Sequence, residues 1–404
     1  MKILIIHEVD YFNKVVFEFQ MLSEALSSLG HEVIVIDYPE AEVPQYFEKQ
    51  HDAFGIKIFN NVYRIYNKAS LKLIRPFYIR MPFIKRASYV FSVGYLIKKI
   101  MKSQRIDFIL LFSVPHSGWQ TVKLAHKYNI PVIFRSLDVL HKLVPRKIYE
   151  IPTLILEKYV YRNADLILAL TPKLMDYTIR LGAQPLKVKL QLTGADTNLF
   201  RPLSKNLDLA KKWGINQNDK IVLFAGTLYK FSALDWLAEH WHLVLKEIPQ
   251  AKLLILGEGS LFGKLKKIRE KRGSEKKIIL TGWQSHRLVP DFIALSDVCL
   301  NLFQLNDIIC DIIPSKLFQY LACAKPVIVS PLPGTIDILN DEKDGVIYAK
   351  DNFDALTLII RLLKNEEEAK RIGENGYKLI KREYAWDKIV SDILEKIKKQ
   401  FKIV

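Results

Sequence analysis

Short runs of aliphatic and β-branched residues alternate with longer helical patterns along this chain. That alternation narrows the possible folds more than any other feature. Ile3-Leu4-Ile5-Ile6 reads as a strand, Val16 to Leu29 as an amphipathic helix ended by Gly30, and Val33 to Asp37 as the next strand. A strand–helix–strand unit of this kind predicts a parallel sheet with right-handed crossovers. Phe108–Phe112, Val132–Phe134 and Leu166–Leu170 continue the series. The periodicity breaks at Gly194-Ala195-Asp196 and Phe200-Arg201-Pro202, stays polar to Asp219, and restarts at Lys220–Phe224. Leu253–Leu256, Ile278–Leu280, Val298–Leu302 and Val327–Val329 follow, and the tail from Phe353 to Lys402 is helical, with Lys and Glu at one-turn spacings. The pattern predicts an α/β protein of two doubly wound, Rossmann-like domains, with a boundary near residue 203. Ligands of such sheets bind at the carboxyl ends of the strands, and two sheets facing each other would enclose a central cleft.

The 404 residues suit two domains, and a composition that is 50% apolar excludes disorder as a description of the whole chain. The three cysteines, Cys299, Cys310 and Cys323, are too few and too irregularly spaced for a disulfide framework or a zinc site. They read as small buried hydrophobes in a reducing cytoplasm. The apolar run after Met1-Lys2 is too short for a signal-peptide core and meets Glu8 at once. No apolar run reaches the roughly 18 residues of a membrane span.

Lys and Arg number 60 against 43 Asp and Glu, a net charge of +17. A surplus of that size points to an anionic partner: nucleic acid, anionic lipid or a phosphorylated small molecule. The surplus is local. Residues 53–106 hold twelve basic residues and no Asp or Glu, interleaved with aromatics such as Phe59, Tyr63, Phe91 and Tyr95. Cations mixed with aromatics suit an anionic membrane surface, each cation near it contributing about 1 kcal/mol. The same mixture suits RNA, or a solvated helix face over an ordinary core. No nucleic acid is expected, since neither an aromatic RNP motif nor a zinc-finger spacing occurs. Ser88 to Ile97 could lie on a bilayer but is too short to cross one.

Five features of the second half carry chemistry. Phe224-Ala225-Gly226-Thr227-Leu228-Tyr229-Lys230 ends a strand; Gly226 would let a ligand approach the backbone, and Lys230 would meet a phosphate. Leu256-Gly257-Glu258-Gly259 and Leu280-Thr281-Gly282-Trp283 also follow strands, with Trp283 able to pack on a base or to sit in the core. At Pro314-Ser315-Lys316-Leu317-Phe318-Gln319 a loop turns into a helix. The N–H groups of Lys316 and Leu317 would bind an anion there, with the charge of Lys316 beside them and Gln319 within reach of a sugar hydroxyl. Ala324-Lys325-Pro326-Val327-Ile328-Val329-Ser330, with Pro331-Leu332-Pro333-Gly334, is a helix end, a buried strand and a tight turn. Taken singly, each is also ordinary turn or helix-start chemistry.

In this order they resemble the nucleotide-sugar domain of GT-B glycosyltransferases, in particular the retaining family 4 (glycosyl transferases group 1). The stretch Pro314 to Ile328 matches the family pattern at most positions. Ala164-Asp165, Gly194-x-Asp196-x-x-x-Phe200-x-Pro202, Gly257-Glu258-Gly259, Ser296-Asp297-Val298 and Gly345 with Val346-Ile347-Tyr348 fall in the family's order. The resemblance implies an acceptor domain over 1–202, a nucleotide-sugar domain over 203–383 and a last helix, 384–404, crossing back to the first domain. It further implies a nucleotide-diphospho-sugar donor, a glycan or lipid-linked acceptor, retention of configuration, no metal or other cofactor, and a cytoplasmic enzyme peripheral to the inner membrane face.

The chain departs from the family at informative places. The two donor glutamates correspond to Asp311, for the transferred sugar, and Gln319, for the ribose. Thr227 stands at the usual Arg position, which leaves Lys230 and Lys316 as the expected diphosphate clamp. In the first domain the Gly-Gly loop is replaced by His7-Glu8-Val9-Asp10-Tyr11-Phe12-Asn13. Of the His-Asp pair, Asp138 remains, with His141 three residues later either approaching the reacting centre or serving as a surface or capping residue. These changes keep two alternatives in view: a sugar-nucleotide epimerase on the same fold, and a non-catalytic binding or partner subunit.

Overall fold

The computed structural model describes residues 1–13, 16–38, 55–79, 81, 84–144, 146–304 and 313–402. The chain divides into two compact units, Met1–Leu192 with Ile389–Val404, and Thr193–Lys388.

In the first unit the strands are β1 (Lys2–Ile6), β2 (Glu32–Ile36), β3 (Lys57–Val62), β4 (Leu71–Arg75), β5 (Phe108–Leu111), β6 (Val132–Ser136), β7 (Leu166–Ala169) and β8 (Val188–Leu190). They lie in the order β3-β4-β2-β1-β5-β6-β7-β8, all neighbours parallel except the antiparallel pair β3–β4. The central strands are buried throughout except at Lys2, as continuous aliphatic runs must be when helices cover both faces. The helices are α1 (Glu18–Ser28), α2 (Ile84–Ser103), α3 (Gly118–Lys127), α4 (Glu150–Asn163) and α5 (Pro172–Arg180).

The second unit contains α6 (Leu207–Lys212), β9 (Lys220–Ala225), α7 (Leu234–Glu247), β10 (Ala251–Leu256), α8 (Phe262–Lys271), β11 (Ile278–Gly282), α9 (Val289–Leu295) and β12 (Val298–Asn301). It continues with α10 (Ser315–Ala322), β13 (Val327–Val329), α11 (Pro333–Ile336), β14 (Val346–Tyr348), α12 (Asn352–Lys364) and α13 (Glu366–Leu379). Its parallel sheet runs β11-β10-β9-β12-β13-β14, so the order reverses between β9 and β12. Helix α14 (Trp386–Phe401) follows a π-helical turn, Ile380–Tyr384.

The strands expected from the sequence are present with ends moved by a few residues. The hairpin β3–β4, the three-residue β8 and β14 were not foreseen as strands, being short or set among basic residues. The units divide at Leu192/Thr193 rather than near residue 203. The intervening residues pack with the second unit: Ala195 bridges to Ala385, and Phe200 is fully buried beside His286. From Ile389 onward α14 groups with the first unit, where Lys396 Nζ donates to Leu190 O at 3.0 Å and Gln191 Oε1 at 2.8 Å.

The basic span 53–106 is not one solvated face. Arg75 is buried, its guanidinium 3.0 Å from both Asp10 Oδ1 and Asp37 Oδ1. Arg64 donates to Tyr11 O at 2.7 Å. On α2, in contrast, Arg86, Lys98, Lys99 and Lys102 are exposed together with Ile84, Phe91 and Tyr95. Among the described residues no helix is long and apolar enough to cross a membrane.

Candidate functional site

Three glycine turns close the carboxyl ends of the adjacent strands β9, β10 and β11. Gly226, Gly257, Gly259 and Gly282 all have positive φ, between 68° and 152°. The turns are stitched together by main-chain bonds: Gly226 N–H to Leu256 O, Gly257 N–H to Gly282 O and Leu228 N–H to Glu258 O, each 2.9 Å. A Cβ on Gly257 would stand 2.0 Å from Gly226 O, and one on Gly259 2.6 Å from Leu228 O. Glycine is therefore required by close backbone approach as well as by φ. The result is a ledge of bare backbone where a ligand of this sheet type binds.

Helix α10 enters beside that ledge, at the point where the strand order reverses. A Cβ on Gly226 would lie 3.4 Å from Lys316 Nζ. The ammonium sits 3.7 Å from the centroid of the Phe224 ring and 5.1 Å from that of Phe303. Desolvation pushes its pKa down to about 7, and no carboxylate among the described residues pairs with it. A lysine held on aromatic faces at the edge of a glycine turn is arranged to receive an anion. A cavity of about 210 Å³ shares Phe303 as a wall and is lined further by Leu302, Gln304, Ser330 and Lys350.

Tyr320 fixes this helix to the ledge. Its fully buried hydroxyl accepts from Ala225 N–H at 2.7 Å and donates to Ala225 O at 3.1 Å, one residue before Gly226. The sequence pattern contains Tyr320 but gives no hint of its target, a strand end 95 residues away. The helix does begin at Ser315, but the expected pair of anion-binding N–H groups needs correction. Leu317 N–H donates to Pro314 O at 3.0 Å, closing the first turn, so the donors left without an acceptor among the described residues are those of Ser315 and Lys316.

The remaining sequence candidates of this unit are placed as follows. Thr227, Trp283 and Gln319 are half-buried, Ser315 and Lys230 are exposed, and Lys230 forms no ion pair among the described residues. The structure places the Lys316 ammonium at the Gly226 turn, with Lys230 exposed four residues further along the same loop. Asp311 lies outside the described residues, as does Cys310.

In the first unit the loop after β1 is held by buried acids. Glu8 Oε1 accepts from Ser117 N–H at 2.7 Å, Ser117 Oγ at 2.8 Å and His116 N–H at 3.0 Å, and its other oxygen meets His116 Nδ1. Burial raises the Glu8 pKa, but the His116 charge and these donors outweigh it and hold the carboxyl at about 2. Glu8 thus fills the amino end of α3 with the chain's own carboxylate. Asp138, just beyond β6, is half-buried, and desolvation raises its pKa to about 6, a value suited to proton transfer near neutrality. His141 is not a surface residue. It is buried, with Nδ1 2.6 Å from Glu157 Oε2 and 2.9 Å from the Tyr177 hydroxyl, and Glu157 Oε1 accepts Leu140 N–H at 3.0 Å. This network locks the 140–142 turn onto α4.

Comparison with known proteins matches this architecture. Sucrose-phosphate synthase from Thermosynechococcus elongatus superposes with a TM-score of 0.71 over 99% of both chains, at 17% identity. Anabaena HepE, solved in complex with UDP and glucose, gives a TM-score of 0.69 over 98% of this chain and 99% of that one, at 14% identity. The fold is GT-B: two Rossmann-like α/β units. The family model for Glycosyltransferase Family 4 matches residues 19–199, and that for Glycosyl transferases group 1 matches residues 206–379. The chain belongs to the group 1 glycosyltransferases. Among curated relatives, N-acetyl-alpha-D-glucosaminyl L-malate synthase of Bacillus anthracis is 24% identical over 184 residues, 45% of this chain and 46% of that protein. The chain spans about half the length of the curated relatives it matches.

Proposed function

We propose that the protein is a retaining, metal-independent glycosyltransferase that moves a sugar from a nucleotide-diphospho-sugar to a hydroxyl of a lipid-linked or cell-surface glycan. The observation that carries this reading is Lys316 Nζ on the Gly226 turn, on a ledge of three glycine turns. The UDP and glucose bound by HepE support the donor class. In this reading Lys316 and the first N–H groups of α10 meet the diphosphate, with Lys230 as a second cation at its exposed side. Charge grows on the leaving nucleoside diphosphate in the transition state, so a cation fixed there before reaction lowers the barrier. Gln319 bonds the ribose, Asp311 positions the donor sugar, and Asp138 exchanges the proton at the reacting hydroxyl. His141 acts through the turn that carries Asp138 and is a positioning residue.

A thermal-shift screen of nucleotide sugars tests the donor. A true donor at about 100 times its dissociation constant stabilises by about 2.7 kcal/mol. With that donor, nucleotide release is expected to depend on acceptor and to fall at least about 100-fold in Asp138→Asn, with donor binding unchanged. Formation of an epimer without acceptor would overturn transfer in favour of the epimerase, and tight binding with no turnover would assign a binding subunit.

The same reading makes the protein peripheral to the cytoplasmic membrane face, through the exposed cations and aromatics of α2. Sedimentation with anionic vesicles, released by salt and lost on neutralising Lys85, Arg86, Lys98 and Lys99, is the expected result. Unchanged sedimentation of that variant would remove α2 as the contact.

A further inference from the structure

We infer that Glu8 and His116 form an acceptor subsite of the first unit, in which His116 Nε2 takes a hydrogen bond from a hydroxyl of an uncharged sugar unit. Glu8 holds the imidazole for this task and keeps anionic acceptors out. The inference rests on the transferase reading above and adds to it the residues that recognise the acceptor and the acceptor's charge class.

The pair sits where the sheet opens. From β1 the chain passes to β2 on one side, and β5 lies on the other, so the strand order reverses between β1 and β5. Both neighbours run parallel to β1. The crevice at the carboxyl ends of such a strand pair is where doubly wound sheets take ligands. Glu8 follows β1 by two residues and His116 follows β5 by five, and their contact spans that crevice. Asp138 follows the next strand, β6, by two residues.

The hydrogen bonds assign the tautomer. Burial raises the Glu8 pKa, yet the His116 charge and the surrounding donors keep the carboxyl ionised. An ionised carboxylate only accepts, so the Nδ1 that meets Glu8 carries the proton. Nε2 of the neutral ring is then a lone-pair acceptor, and it has no partner among the described residues. The side chain is 21% exposed, which leaves that nitrogen open to a ligand. The loop is fixed, because Gln120 Nε2 donates to His116 O at 3.0 Å and to Val90 O of α2 at 2.9 Å. Tyr89 stands edge-on to the imidazole, 6.4 Å between centroids. It is fully buried, and its hydroxyl has no partner among the described residues. Burial and the Glu8 charge push its pKa well up, so it remains a donor. An open acceptor with an unpartnered donor behind it complements a hydroxyl, which both donates and accepts.

The same contacts set the charge class. The amino end of α3 presents N–H groups of the kind that attract an anion. Those of His116 and Ser117 already donate to Glu8 Oε1, as does the Ser117 hydroxyl. With the imidazole neutral the pair carries one negative charge, and with it protonated none. Neither state attracts a carboxylate or a phosphate. A sugar hydroxyl carries no charge and supplies the proton that Nε2 lacks.

Nitrogen-15 NMR of the histidine rings of the full chain tests this without turnover, the His116 signals being assigned by their loss in His116→Phe. The expected spectrum shows Nδ1 protonated. The Nε2 signal is expected to move with at least one of the methyl glycosides of glucose, galactose, mannose and N-acetylglucosamine, and to stay with glucuronate and inorganic phosphate. Glu8→Gln places an amide N–H against Nδ1, so the ring proton is expected on Nε2 and glycoside affinity should fall at least about tenfold. His116→Gln, which keeps an oxygen near the Nε2 position, should regain most of the affinity lost in His116→Phe, a rescue that a purely structural role would not give. Unchanged melting temperatures confirm that the variants fold. A Nε2 signal that moves with phosphate or glucuronate alone, or with no probe, overturns the inference. Transfer that is unchanged in His116→Phe also removes this subsite and leaves the transferase reading standing. Glycoside binding at His116 with no turnover of any nucleotide sugar overturns the transferase reading and leaves the hydroxyl recognition standing.

Discussion

Lys316→Met is expected to weaken binding of a nucleotide sugar by about 10- to 100-fold, the range for a charge-assisted hydrogen bond to phosphate. The same substitution is expected to raise the stability of the unliganded protein at neutral pH. Both effects have one cause. The ammonium rests on Phe224 and Phe303 with its pKa lowered to about 7 by desolvation. In the unfolded chain a lysine titrates near 10.4. A lysine whose pKa falls on folding contributes a penalty that grows as pH drops from its unfolded value to about 7 and is constant below. Methionine removes that penalty and the ligand cation together. A bound diphosphate favours the ammonium, so donor binding should take up a proton above pH 7 and weaken by up to about tenfold per pH unit there. Calorimetry with UDP-glucose as probe from pH 6 to 9, in buffers of different ionisation enthalpy, measures this. Lys316→Arg should bind with a flat profile. A slope in Lys316→Arg equal to that of the unaltered chain would assign the titration to another group.

Gly257→Ala carries the second large effect. Its Cβ would approach Gly226 O to 2.0 Å, and Gly257 has φ of 132°, outside the range of L-residues. Neither partner can yield, because both are main chain and the two turns are bonded to each other and to Gly282. A loss of about 3 kcal/mol is expected, from overpacking together with backbone strain. Gly263→Ala, in α8 with nothing within 4 Å of the added carbon, is the control and should be neutral or stabilising by up to about 1 kcal/mol. Urea unfolding measures both. A Gly257→Ala value within about 0.5 kcal/mol of the unaltered protein would show that the ledge is looser than its geometry implies.

The strand series was legible because fully covered parallel strands need unbroken aliphatic runs, as in Ile3–Ile6 or Lys220–Phe224. The hairpin β3–β4 was not, since its residues are mixed and its partners come from the β2 edge and from buried acids far along the chain. The glycine turns and Lys316 could be picked out as residues, because a ligand-binding backbone needs glycine and an anion needs a cation. How Lys316 reaches the turn could not: its approach to Gly226 goes with Tyr320 holding α10 to Ala225, 95 residues away. His141 shows the converse: read as a reacting-centre or surface residue, it is held by Glu157 and Tyr177 from two other helices.

The sequence by itself determined the two α/β units, the strand order of residues that could carry chemistry, and the membership of the family, because local periodicity and turn chemistry are written in neighbouring residues. The tertiary structure alone decided which charges are spent inside. Arg75 is consumed by Asp10 and Asp37, Glu8 occupies the amino end of α3, and Lys85 packs on Tyr38 and Tyr78, whereas Arg86, Lys98, Lys99 and Lys102 of α2 stay exposed. A net charge counts every cation alike. Burial and pairing, which depend on contacts between distant segments, determine which of them remain open to a partner.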